Sequence, residues 1–286
     1  MKAITRLVLI AAAAITGILA LVIGGGKKTS TPKTTHHQID PIEPKTPVLP
    51  EDPKSILLDY TPTQAKGDHL VKNKFYTVSY SSKHKNAEWV AYQLTISRLE
   101  VADIPRHYSF KTDPKLGGIN AHHREYTNSG YDRGHLAPAL DMSFSEQALG
   151  ESFYMGNVCP QDPKFNKGIW KELENKVRKW TKTNKRLYIV TGPILRNEVT
   201  EETPTIGKGT TVPRGFYKVI LDYDEPQKKG IAFMFKNKEI DQPLEKFAVS
   251  IDEVEEYTGI DFFPQLSITE ENFLEGTFKI SQWDFD

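Results

Sequence analysis

Apolar and polar residues alternate over Phe75-Tyr76-Thr77-Val78-Ser79-Tyr80 and again from Trp89 to Ile96. That period of two predicts β-strands, because successive side chains of an extended chain point to opposite faces. Leu187 to Thr191, Phe216 to Tyr223 and Ile231 to Phe235 predict three more, being rich in β-branched and aromatic residues and bounded by Gly, Pro or Lys. After Asn166 the period changes: Ile169, Trp170, Leu173, Val177 and Trp180 recur at three- and four-residue steps with lysines between them, which predicts one long amphipathic helix. A second helix is predicted from Ser250, where Glu253 completes a capping box. Strands before, between and after helices give an α+β class with a largely antiparallel or mixed sheet.

The N-terminus follows another pattern. Lys2 and Arg6 precede an uncharged run from Leu7 to Ile23, roughly 26 Å long at the helical rise. This length lies between the core of a signal peptide and a short membrane span, so a cleaved signal and a retained anchor both stay open. Between Lys27 and Pro53, prolines are interspersed with Thr, Lys and Glu, as in an extended linker. The expected organisation is a signal or membrane anchor over 1–26, a linker over 27–55 and one large domain over 56–286. Either fate of the leader sends that domain across a membrane, to an extracytoplasmic place that is membrane-anchored, periplasmic or secreted. His36 and His37 lie in the linker and receive no role.

Charge narrows the picture only locally. Lys plus Arg and Asp plus Glu each number 37, so no global cationic field marks a nucleic-acid binder. A basic strip nevertheless runs through Lys164, Lys167, Lys171, Lys176, Arg178, Lys179, Lys182, Lys185 and Arg186, the kind of surface that holds phosphates with little sequence preference. The single cysteine, Cys159, excludes an intramolecular disulfide and a cysteine zinc cluster. His122 and His123, as neighbours on a strand, would point to opposite faces and make a poor zinc pair.

Candidate chemistry gathers in three strings: Asp132-Arg133-Gly134-His135-Leu136-Ala137-Pro138, Asn157-Val158-Cys159-Pro160-Gln161, and Asn166, Trp170, Leu173 and Glu174. A histidine beside an arginine suits a polar turn as well as a site. Through these three strings the chain, over roughly Tyr76 to Leu266, resembles the DNA/RNA non-specific endonuclease family of ββα-metal (His-Me finger) nucleases.

The resemblance implies a metal-dependent endonuclease that cleaves DNA and RNA, single- or double-stranded, held through phosphates, and leaves 5′-phosphate ends. By the same resemblance His135 is the general base, and Asn166 is the direct ligand of one Mg²⁺, with Mn²⁺ as the alternative. Arg133 and Arg106 would grip phosphate, and Asn157 would help arrange the site. Asp132 is expected to support the water shell of the metal or the local turn. A helix N-cap is the competing position for Asn166, and a surface pair with Arg178 the competing role for Glu174. On one regular helix Asn166 and Glu174 would rise about 12 Å apart and differ by roughly 80° in direction, which places Glu174 behind a water. Cys159 stands where the family more often has a small hydroxyl residue or alanine. The oligomeric state, a homodimer included, and any inhibitor partner stay open. A silent nucleic-acid-binding module and a phosphodiesterase for another ester remain the alternatives. Phe273, Phe278 and Trp283 suggest that the C-terminal residues pack on the core.

Overall fold

The computed structural model describes residues 61–63, 68–101, 104–195, 200 and 202–286. The expected leader, linker and His36-His37 lie outside them. Among the described residues no helix is long and apolar enough to cross a membrane.

In chain order the elements are β1 (His69–Lys72), β2 (Tyr76–Ser81), β3 (Asn86–Thr95), α1 (Ile96–Glu100), β4 (Asp132–His135), α2 (Glu146–Ser152), β5 (Val158–Gln161) and α3 (Pro163–Phe165). A wide turn over Asn166–Trp170 leads into α4 (Lys171–Asn184). Then come β6 (Arg186–Ile194), β7 (Thr205–Ile206), β8 (Thr210–Thr211), β9 (Gly215–Asp222), β10 (Lys229–Lys236), β11 (Ala248–Val249), α5 (Ile251–Thr258) and α6 (Ile268–Leu274). Seven strands form the main sheet in the order β1-β2-β3-β6-β9-β10-β11, every ladder antiparallel. All five predicted strands are present in it.

Pleating sorts this sheet into two buried faces. Val90, Tyr92 and Leu94 of β3 and Phe216 and Ile220 of β9 share one core with Leu173, Val177 and Trp180 of α4. Trp89 and Ala91, with Tyr217, Val219 and Leu221, share the other with Ile251 and Val254 of α5 and with Phe262 and Phe263. Helices therefore cover both faces, which is why these strands are buried almost throughout instead of presenting one wet side. The predicted capping box is present: Ser250 Oγ accepts from Glu253 N, and the Glu253 carboxylate accepts from Ser250 N.

Four expectations need correction. The helix after Asn166 is broken, because the backbone at Gly168 (φ −95°, ψ −119°) leaves helical values and separates α3 from α4. Its N-cap is Asp162, whose Oδ1 accepts from the backbone of Lys164 and Phe165, and not Asn166. His122 and His123 sit on a 3₁₀ turn over His123–Tyr126, capped reciprocally by His122 and Glu125, with their rings 4.5 Å apart. At the C-terminus Trp283 is buried and Phe278 packs on the core, whereas Phe273 is exposed, since it lies on the outer side of α6.

Candidate active site

The strings converge on a small ribbon. β4 pairs antiparallel with β5, setting Asp132 opposite Gln161, Gly134 opposite Cys159 and His135 opposite Val158; α3 and α4 follow directly. Gly134 is required by this pairing: a Cβ there would lie 2.1 Å from the Gln161 side chain, well inside contact distance. The glycine of the first string and the glutamine of the second thus fit each other.

His135 closes β4, half-buried between Phe110 and Phe153, each ring 5.1 Å from its own. Its Nε2 is shielded from solvent and has no hydrogen-bond partner. Burial, reinforced by the Arg106 charge, pushes the imidazole down to about 3, so it is neutral at physiological pH. Arg106 lies 5.0 Å over the opposite partner of this stack, the Phe153 ring. The structure therefore brings Arg106 to the histidine across a stretch of sequence that carries no motif of its own.

Asn166 Nδ2 donates to Asp132 Oδ2 at 3.0 Å, and Lys167 Nζ lies 3.2 Å from the same oxygen. The donated amide leaves Asn166 Oδ1 as the acceptor end. The break at Gly168 removes the regular-helix geometry from which the Asn166–Glu174 separation was reckoned. Among the described residues no hydrogen bond or ion pair joins Glu174 to Asn166, Asp132 or His135.

Glu174, half-buried in the first turn of α4, lies within the electrostatic reach of Lys218, Asp141 and Arg178. Burial drives its carboxyl upward, with Lys218 opposing and Asp141 adding to the rise. Burial drives Lys218 downward, opposed mainly by Glu174. Lys218 Nζ donates to Thr191 Oγ1 at 2.7 Å and lies 4.8 Å over the Trp170 ring. Arg178 does not pair with Glu174; it reaches Asp141 at 2.6 Å, where Tyr92 Oη also donates at 2.8 Å.

Two further residues are more committed to the scaffold than the sequence suggests. Arg133 gives Nε and Nη2 to His123 O, at 2.9 and 2.6 Å, and Nη2 also to Thr127 Oγ1 at 3.1 Å, which leaves Nη1 outside these bonds. Asn157 is fully buried; its Oδ1 accepts from Ala137 N, and its Nδ2 donates to Ala137 O and Ser152 O. With both amide hydrogens used, Asn157 fixes the chain two residues past His135. Cys159 is buried, and burial pushes its thiol up, far from nucleophilic use.

A profile for DNA/RNA non-specific endonuclease matches residues 55–268. The chain belongs to the DNA/RNA non-specific endonuclease family. It is 33% identical over 211 residues to endonuclease G, mitochondrial, of Homo sapiens, covering 69% of this chain and 70% of that protein. It is 34% identical over 221 residues to a nuclease of Nostoc sp., covering 72% and 78%. With nuclease EXOG, mitochondrial, of Danio rerio the identity is 35%, covering 68% of this chain and 62% of that relative's length. A crystal structure of the EndoG/EndoGI complex, described as revealing the mechanism of EndoG inhibition, superposes with a TM-score of 0.67 at 29% identity, covering 75% of this chain and 93% of that one. The chain thus has the ββα-metal fold of this family.

Sequence reasoning about the endonuclease strings missed Phe110, Phe153, Asp141 and Lys218. The two phenylalanines carry no spacing signal, since both meet His135 through the tertiary fold. Lys218 did carry one: a cation at an inward-facing step of Phe216-Tyr217-Lys218-Val219-Ile220 breaks an otherwise apolar strand.

Proposed function

We propose that this chain is a metal-dependent endonuclease that hydrolyses phosphodiester bonds in DNA and RNA with little sequence preference. The observation that carries the reading is the short β4 strand, which ends in a neutral, half-buried His135 and begins at an Asp132 hydrogen-bonded to Asn166.

The donor set suits one Mg²⁺, or Mn²⁺ in its place. Asn166 Oδ1 is a neutral oxygen, Asp132 adds carboxylate charge beside it, and such oxygen donors suit a hard cation that keeps most of its waters. Asn166 would hold the ion directly, with Asp132 and Glu174 acting through water. When bound, the ion would offset the negative charge that grows on the phosphorane and leaving oxygen. His135, being neutral, accepts the proton of the attacking water. Arg106 and the Nη1 end of Arg133 orient the phosphate as charged donors, while Asn157 keeps His135 in register. The products carry 5′-phosphate and 3′-hydroxyl ends. The leader over 1–26 and linker over 27–55 would place the domain over 56–286 outside the cytoplasm.

The full chain, incubated with plasmid and with RNA, should cleave both in Mg²⁺ or Mn²⁺ and neither in EDTA. His135→Ala should lower turnover by about 10²–10⁴-fold. Undiminished cleavage by His135→Ala, or an intact chain idle on both substrates with either metal, would overturn the reading.

A further inference from the structure

The sheet face opposite the active site carries a second concentration of chemistry. Between Ser250 and Phe278 the chain has eight carboxylates and no Lys, Arg or His. Glu253 is used in its helix cap, and Glu270 accepts from Tyr223, Lys228 and Ser267. Three others converge. One carboxylate oxygen each from Asp252, Glu255 and Glu275 lies within 4.8 Å of the others.

Glu275 gives this cluster its meaning. It is 1% exposed, and its Oε1 has no hydrogen-bond partner. A buried carboxylate oxygen on a side chain that stands among two further carboxylates lacks the partner that such groups require. The backbone holds the arrangement: Ile251 N and Asp252 N donate to Glu275 O at 3.0 and 3.2 Å, tying the start of α5 to the end of α6. Phe262 N donates to Glu255 Oε1 at 2.7 Å. Gly276 keeps the approach narrow, since a Cβ there would lie 3.3 Å from Asp252 Oδ2. Asp261 and Glu271 add like charge nearby.

We infer that Asp252, Glu255 and Glu275 form a divalent-cation site of the Ca²⁺ class, separate from the hydrolytic centre, that clamps α5 to the end of α6. The donors are all hard oxygens. Ca²⁺ takes roughly six to eight oxygens at about 2.3–2.6 Å, so opposite ligands stand about 5 Å apart, which matches the spread of the cluster. Asp252 is exposed and Glu255 half-buried, which leaves one side open for the waters that complete such a shell. Sites this open have affinities on the order of 0.1–1 mM.

The test is the thermal midpoint of the full chain, titrated with CaCl₂, together with calorimetric binding. Roughly tenfold above half-saturation, Ca²⁺ should raise the midpoint by about 3–6 °C. Asp252→Asn and Glu275→Gln should each abolish that rise, while Asn166→Ala, at the other centre, keeps it. Asp252→Asn lies on the exposed rim and decides the matter if Glu275→Gln folds poorly. A rise that persists in Asp252→Asn, that disappears in Asn166→Ala, or that is absent from the intact chain overturns the site. Loss of nuclease activity by itself moves none of these readouts.

Discussion

A histidine serves as a base only while neutral, and for the role proposed for His135 its surroundings set how far into acid that holds. Burial and then the Arg106 charge bring it down to about 3 from an ordinary value of 6.5. With the folded value below the unfolded one, the unfolded chain takes up the proton first. The contribution of His135 to stability is therefore whole above about pH 6.5 and drains as the pH falls from there toward 3. The same shift predicts that the acid limb of kcat/KM lies well below 6.5. Arg106→Gln should move that limb upward, because a neutral residue no longer disfavours the imidazolium. Rate measurements across the acid range decide it, and a limb at 6.5 in the intact enzyme would mean that the ring is solvated. At this scale the Asp132–Asn166 hydrogen bond and the place of His135 at the end of β4 join residues that the sequence already set in strings of fixed order. Arg106 was legible only as a residue type: its nearness to His135 comes through Phe153, which no spacing announces.

Elements were legible where one side-chain period persists. The central strands read correctly because their apolar runs serve two buried faces, and the long helix read correctly beyond Lys171. The break at Gly168 escaped because Ile169 and Trp170 continue the apolar rhythm on its far side, so the pattern survives while the axis turns. The ribbon of β4 and β5 escaped as well, its four-residue strands being too short for any period to emerge. That ribbon depends on Asn157, which joins β5 to the segment after β4 and to the end of α2. Asn157→Ala would leave the buried Ala137 N–H and C=O and the Ser152 carbonyl without these partners, at a cost of roughly 2 kcal/mol or more. In a domain of this size that lowers Tm by about 4–8 °C. The expected kinetic signature is a reduced kcat with KM held, because the base shifts while the phosphate donors stay. An unchanged Tm with a raised KM would instead mark Asn157 as a substrate contact.

For the molecule as a whole, the open matter is how a chain of balanced charge holds a polyanion. The basic strip read along the third string is largely spent within the fold. Lys164 pairs with Glu239, Lys167 with Asp132, Arg178 with Asp141, Lys179 with Asp284 and Arg186 with Asp224, while Lys176 donates to the carbonyls of Phe285 and Asp286. Sequence could not reveal this, because each acidic partner lies 35 or more residues away along the chain. The cations that the fold sets beside the His135 ring stack are fewer: Arg106 over Phe153 and Arg133 over Phe110. Two phosphate contacts release counterions with a slope of about −1.8 in log K against log salt on duplex DNA, whereas nine would give about −8. Binding of the His135→Ala chain to a labelled duplex, followed by fluorescence anisotropy over a KCl series, should therefore give a shallow slope near the first value. A slope near the second would mean that the ion pairs along α4 open to meet the substrate, and that the strip acts as the sequence first suggested.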